Sequence, residues 1–523
     1  MSTLLEKDKT KTMRNIFKSS LILFLISLSF NAYSQKMKFK VEGVKDTTVF
    51  LAKYWGKRLF YEDTAVIKGG IVEFTAKPDL KPGMLAVIFP GQKYFEFIYN
   101  KEEISIETKS PDFVPNLVVK KSTENKLFIP YIQFLATQRA KASKISDEIK
   151  GLAKTDELHK TKTAELEAIS KEVLTYQKKL IAENPNSFTG KMVKMSLDID
   201  LPEAPKDEKG VITDSSFVFR YFKKHFWDNT DLKYDGLVNT PIFENKLEQY
   251  LGKTVILQDP DTILAYALPF CNGLTKGSEM FKFCVDNITN SFGKSNVMGM
   301  DKVYLHMLKN YYCSRDASGK SPAFWMTEEK LKSACEDLDI KIRLVKGEVP
   351  PNITLPDSTD VVWKDFYSLK SDYTILYFWD PECGHCKKTT PKLQELYAKK
   401  LKARNVEVFA VGKATGEDFE KWKKYIKDQG LTFINVGLTK KLFEAVSQDA
   451  GPIVRSGKTD LNSLNYHKTY DIFATPRIFL LDKNKKIIAK QLTISQLEDL
   501  LDHLQKAEDS EKLFPYDPEE EAH

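Results

Sequence analysis

The chain is poor in cysteine: six in 523 residues, the first at position 271. Apart from Cys383 and Cys386 no C-x-x-C or C-x-x-H pair occurs, so a four-ligand zinc site lacks half its donors. Long apolar runs are missing too. The run near the N-terminus, "LILFLISLSF" (residues 21–30), is ten residues long, where a bilayer span takes about 20. Blocks of one charge are absent: Lys and Glu interleave, and the formal charge of +7 falls to +4 once residues 1–34 are set aside, so nucleic-acid binding is not indicated. Residues 37–108 contain neither cysteine nor histidine, which argues against catalysis there.

What is present describes a globular protein of several domains. Hydrophobic residues make up 42% and charged ones 29%, and the length exceeds what one core usually serves. Lys7, Lys9, Lys11, Arg14 and Lys18, then the ten-residue apolar run, then Ala32-Tyr33-Ser34 read as a secretory signal over residues 1–34, cleaved before Gln35. An exported protein is the expectation. No cysteine stands at the cleavage point, which argues against a lipid anchor.

The remaining chain changes texture three times. Residues 35–112 alternate with period two ("KFKVEGV", "TVFLAKY", "IVEFTA"), with Gly69-Gly70 between two runs, and predict a small antiparallel, sandwich-like β domain. Residues 113–345 read as helical. Leu166, Ile169, Val173, Tyr176 and Leu180 keep 3,4,3,4 spacing, and Pro185 ends that helix near Asn184. His225 and His306 sit in aromatic-rich segments and are expected in packed clusters, not as ligands. Cys271, Cys284, Cys313 and Cys335 fit no zinc spacing; they can form two disulfides in three pairings or stay free and buried. Residues 346–510 alternate strands with helices and close with a β-hairpin near Asp482–Asn484 and a helix, an α/β layout with a mixed sheet. Residues 442–471 read as a long irregular insertion, and 511–523 as a solvated acidic tail.

Chemistry concentrates in "YFWDPECGHCKKTTPKL", residues 377–393. The buried strand "TILYFW" would deliver Cys383 to the first turn of a helix beginning near Gly384. Unpaired backbone N–H groups and the positive end of the helix dipole favour a thiolate there, which makes Cys383 the candidate attacking sulfur. Cys386, one turn on, is shielded and close enough to resolve a mixed disulfide. His385 adds a donor, and a charge when protonated, that would push the couple toward the oxidising end; it also reads as a plain polar helix residue. Thr475-Pro476 opens a strand after an irregular loop, which suits a cis-proline beside the dithiol, against the alternative of an ordinary trans-proline at a strand start.

With "FWDPECGHCKK", the distant "TP" and the terminal hairpin, residues 346–507 resemble the thioredoxin fold, in particular the exported thiol-disulfide oxidoreductases of the TlpA and ResA kind. The β-rich start and helical middle resemble accessory domains of unassigned role. The resemblance implies a multidomain protein with a small antiparallel β domain, a helical middle domain and a C-terminal α/β thioredoxin-like domain. It implies Cys383 as nucleophile, Cys386 as resolving thiol, Pro476 as cis-proline, Thr475 as a backbone contact for extended substrates and Trp379 as the family aromatic. Gly384-His385 is the dipeptide of protein disulfide isomerases.

Three positions depart from the family. Tyr377 stands where many relatives carry an acid or amide, Thr389 where reductase-type members carry glutamate, and Glu382 where thioredoxins have tryptophan. The expectation is therefore an enzyme of the periplasm or cell envelope that exchanges disulfides with protein thiols, with a membrane electron donor as a candidate partner. It needs no cofactor beyond the Cys383-Cys386 disulfide, no metal and no nucleic acid. The alternatives are a scaffold with a vestigial dithiol and a thiol peroxidase, the latter disfavoured by Asp380 where peroxiredoxins usually place threonine.

Overall fold

A computed structural model describes residues 35–252, 255–508 and 510–515. The expected signal segment and most of the acidic tail lie outside the described residues. The chain divides into two compact units, residues 1–255 and 256–523. The division falls inside the helical stretch 113–345, not at either of its ends.

The first unit opens with eight strands in two four-stranded sheets. β1 (Lys36–Glu42), β4 (Ile71–Thr75), β7 (Ile104–Lys109) and β8 (Val118–Lys121) form one, in the order β4-β1-β7-β8; β2 (Thr47–Trp55), β3 (Arg58–Ile67), β5 (Gly83–Ile88) and β6 (Tyr94–Tyr99) form the other, in the order β3-β2-β5-β6. Alternation in β1 is strict, with Met37, Phe39 and Val41 buried between exposed lysines and a glutamate. Phe39 meets Phe95 and Phe97 of the second sheet with centroids 5.6 and 4.9 Å apart, so the two inner faces share one aromatic core. All pairings are antiparallel except β1 with β7. Gly69 and Gly70 both adopt positive φ, as a tight turn requires, but the strands they join enter different sheets and share only the Lys68–Ile71 bridge.

Helices complete this unit. α1 (Thr123–Ile149) and α2 (Glu157–Glu183) form a hairpin in which Tyr176 stacks on Phe134 at 4.4 Å, and α2 ends at Asn184 as the proline demands. Asn125 clamps α1 to β6: it accepts from the Ile98 N–H at 2.8 Å and donates to the Ile98 carbonyl at 2.7 Å, which satisfies backbone groups on that edge strand. His225 stacks on Tyr221 at 4.1 Å and bonds Asp228 at 2.7 Å.

The second unit begins with helices, among them Pro260–Gly273, Glu279–Gly293, Asp301–Met307 and Glu328–Cys335. Cys313 and Cys335 form a disulfide with Cα atoms 5.7 Å apart, whereas Cys271 and Cys284 are free and fully buried. Burial raises both thiols, Cys271 to about 12, so neither is a ready nucleophile.

A two-stranded ribbon of β9 (Thr354–Pro356) and β10 (Trp363–Asp365) precedes a five-stranded sheet in the order β13-β12-β11-β14-β15, where β11 is Tyr373–Trp379, β12 Val406–Gly412, β13 Ile434–Gly437, β14 Arg477–Asp482 and β15 Ile487–Lys490. β11 runs parallel to β12 and antiparallel to β14, so the sheet is mixed. Both faces of β11 are covered, which explains its unbroken apolar run. Ile375, Tyr377 and Trp379 pack toward the helices Gly384–Leu396, Asp418–Asp428 and Ile494–Leu504; Leu376 and Phe378 pack toward Phe366, Tyr466 and Tyr470. The insertion is not irregular as expected. It contains four short helices, Lys440–Gln448, Gly451–Arg455, Leu461–Leu464 and Tyr466–Thr469. Gly451, Pro452 and Gly457 interrupt any helical period, and what orders the segment is packing of Leu442, Leu464, Tyr466 and Tyr470 on the sheet.

Candidate functional site

β11 ends at Trp379, and four residues later Cys383 is the N-cap of the helix Gly384–Leu396. The turn is braced twice: the Cys383 N–H donates to the Asp380 carbonyl at 3.1 Å, and the Glu382 N–H to the Asp380 carboxylate at 2.8 Å. Cys383 is half-buried; Cys386, one turn later, is 1% exposed. Burial pushes the Cys383 thiol up, but the backbone N–H groups of Cys386 and His385, with the side chains of Thr475 and Cys386, outweigh it and hold the thiol below its ordinary 9.0. Burial dominates at Cys386 and pushes it up to about 12. The two thiols are thus set apart as one accessible sulfur that ionises readily and one that holds its proton.

Across from them the Thr475–Pro476 peptide is cis, and the Thr475 carbonyl accepts a hydrogen bond from the Cys383 thiol at 3.2 Å. Cys383, Cys386, Thr475 and Pro476 therefore converge. His385 is exposed on the first helical turn. Trp379 lies below the site, not on its surface: it is 1% exposed and packs against Tyr425 at 5.3 Å, so it serves as a floor and offers substrate no face.

Residues 371–487 match the family described as thioredoxin-like. The thiol-disulfide oxidoreductase ResA of Bacillus thuringiensis subsp. konkukian is 29% identical over 160 residues, 30% of this chain and 76% of that protein; ResA of a Bacillus cereus strain is 27% identical over 168 residues, 32% of this chain and 80% of that protein. The C-terminal domain is thioredoxin-like. Among solved structures, a domain of a possible thiol-disulfide isomerase from Cytophaga hutchinsonii is 32% identical and covers 32% of this chain and 98% of its own, with a TM-score of 0.25. The thioredoxin domain of a thiol-disulfide oxidoreductase from Bacteroides vulgatus is 25% identical over 31% of this chain and 98% of its own, with a TM-score of 0.25. Residues 36–128 and 151–323 match two families described as Domain of unknown function (DUF4369) and Domain of unknown function (DUF5106).

Several groups around the thioredoxin-like dithiol escape a reading of the sequence. Tyr377 is fully buried, and its hydroxyl lies 2.7 Å from that of Thr390, so a neutral hydroxyl pair stands at the position where the family resemblance implies an acid or amide. Burial first, then the neighbouring Cys386, raises Tyr377 well above its usual range, so it stays neutral. The Asp380 N–H donates to the Cys386 sulfur at 3.5 Å, and the Asp380 carboxylate pairs with Lys413 at 3.3 Å. His467, from the insertion, lies near that pair: desolvation and then the Lys413 ammonium lower it, against the opposing pull of Asp380. Only the D-P dipeptide before the cysteines hinted at a bracing turn, and nothing in the sequence linked His467 to it. Among the described residues no group of three or more His, Cys, Asp or Glu side chains could hold a metal ion.

Proposed function

We propose that the protein exchanges disulfides through its Cys-Gly-His-Cys dithiol in the cell envelope. The observation that carries this reading is the division of labour between the two sulfurs: Cys383 accessible, held low and facing the Thr475 carbonyl; Cys386 buried and held high. In the reducing direction the Cys383 thiolate attacks one sulfur of a substrate disulfide. A Cys383–substrate disulfide forms, and the other substrate sulfur leaves as a thiolate. Cys386 then gives up its proton to the departing thiolate and attacks the Cys383 sulfur, releasing the second substrate sulfur and closing the Cys383–Cys386 disulfide. Two electrons reach the substrate; the second substrate sulfur leaves as a thiolate and takes its proton from solvent, which balances the proton Cys383 lost on ionising, and a thiol donor restores the dithiol by the reverse sequence. The chemistry needs no metal or organic cofactor.

Substrates of this reading are protein thiols and disulfides outside the cytoplasm, the compartment that the N-terminal signal pattern indicates and where disulfides persist. A membrane electron donor would supply the reducing equivalents. Thr475 and Pro476 would line the substrate chain beside Cys383, and His385 would favour the thiolate over the disulfide. The test is exchange with a peptide disulfide: Cys383→Ser should abolish it, and Cys386→Ser should stall with substrate covalently held on Cys383. Undiminished exchange by Cys383→Ser would remove the reading.

A further inference from the structure

The end of the insertion is pinned down on either side of one exposed ring. Tyr470 is 1% exposed and its hydroxyl donates to the Pro351 carbonyl; Ile472 is 8% exposed and its N–H donates to the His467 carbonyl at 2.8 Å. The next residue, Phe473, is 85% exposed, and among the described residues no large apolar side chain is more so. Two residues further on, the Thr475 carbonyl takes the Cys383 thiol at 3.2 Å. Tyr470 and Ile472 pack into the face of the sheet that holds Phe378 and Phe479, so the loop has a fixed base from which Phe473 and the small Ala474 are turned out.

Leaving an aromatic ring in water forgoes the free energy its burial would supply, and here the ring stands on a pinned loop beside the reacting sulfur. Two residues of chain span at most about 7 Å, so a polypeptide whose cysteine is joined to Cys383 passes within reach of this ring. A small disulfide need not. The Asp380–Lys413 and Glu382–Lys421 pairs put charge beside the dithiol, and Phe473 adds an exposed apolar spot sized for one side chain.

We infer that Phe473 is a substrate-binding residue that receives an apolar side chain flanking the reactive cysteine of an extended polypeptide. The domain would then select polypeptide disulfides with Leu, Ile, Val, Met or Phe next to the cysteine over those with polar neighbours. This rests on Cys383 being the attacking thiol, as proposed above.

The test uses the reduced full chain and two pentapeptides, Ala-Leu-Cys-Leu-Ala and Ala-Ser-Cys-Ser-Ala, each as its mixed disulfide with glutathione, together with oxidised glutathione. The wild type is expected to show a kcat/KM about tenfold higher for the Leu peptide, carried by KM, from partial burial of one side chain on one ring. Phe473→Ser should bring that ratio close to one, Phe473→Leu should keep most of it, and Val361→Ser, at another exposed position (74%), should keep all of it. An equal ratio in wild type and Phe473→Ser overturns the inference while leaving the redox reading intact. Wild type that exchanges with none of the three disulfides overturns the redox reading, and this inference with it.

Discussion

If the two sulfurs are divided as described, alkylation of the reduced protein should be almost confined to one of them. A thiol with a pKa of about 12, as at Cys386, is ionised to only about one part in 10⁵ at pH 7, whereas one held below 9.0, as at Cys383, exceeds about one part in 10². That is at least about a thousandfold in thiolate. The more basic thiolate is intrinsically the better nucleophile, which over three pH units returns about 20-fold to Cys386. The net expectation is a Cys383 rate at least about 50-fold faster, before counting that Cys386 is 1% exposed and sterically screened. The assay is a pH series, from 5 to 9, of iodoacetamide labelling of the reduced full chain, read by peptide mass spectrometry. The Cys383 rate should climb and level off below pH 9, while Cys386 stays nearly unlabelled. Comparable rates at the two sites, or a Cys383 profile that levels off only above pH 9, would refute the argument.

Other parts of the second unit make separate demands. Asp502, 1% exposed, bonds Arg404 at 2.5 Å, Lys512 at 2.8 Å and Lys400 at 3.3 Å, so Asp502→Ala should cost about 3 kcal/mol in urea unfolding, chiefly by breaking the half-buried Arg404 pair, since Lys400 keeps Glu498 at 2.6 Å and Lys512 keeps Asp499 at 2.6 Å. Burial works to raise its carboxyl, but Lys512, Arg404, Ser510 and Lys400 outweigh it and depress the carboxyl from 3.8 to about 2. Because the folded value is the lower one, its contribution is complete above about pH 4 and should be lost as pH falls toward 2, seen as a steeper drop in Tm for wild type than for Asp502→Asn. Gly412→Ala would place a Cβ 1.9 Å from Trp422 Nε1, and since Trp422 is fully buried the substitution should destabilise by about 2 kcal/mol or more in the same assay. Replacing Cys313 and Cys335 together by serine releases a 22-residue closure and should lower stability by about 3 kcal/mol; an unchanged urea midpoint would mean the bond contributes nothing.

How much of this is visible in the sequence follows from how local each signal is. The strand-to-helix junction at 377–396, the long helix ending at Asn184 and the hairpin between β14 and β15 are each announced within a few residues, by a change of period, a proline or a turn cluster. The mixed sheet follows from strands alternating with helices. By contrast, the helices of 440–469 are four to nine residues long and are ordered by the sheet beneath them, which no local pattern reports. The pairing of Cys313 with Cys335 depends on two segments meeting in space. So does the Tyr377–Thr390 contact: the missing acid is evident from the sequence, but its replacement by two hydroxyls is not. Trp379 shows the limit of position-by-position transfer, since its place next to the motif says nothing of which way the indole turns.

Disulfide exchange at this site requires that Cys383 and Cys386 interconvert between dithiol and disulfide. Equilibrating the full chain across glutathione buffers and counting free thiols at these two residues measures this directly. A single two-electron transition with a midpoint between about −270 mV, the value for thioredoxin, and about −180 mV, that of protein disulfide isomerase, is the expected result. Both sulfurs remaining free, or forming only separate glutathione adducts, across the whole range would contradict it.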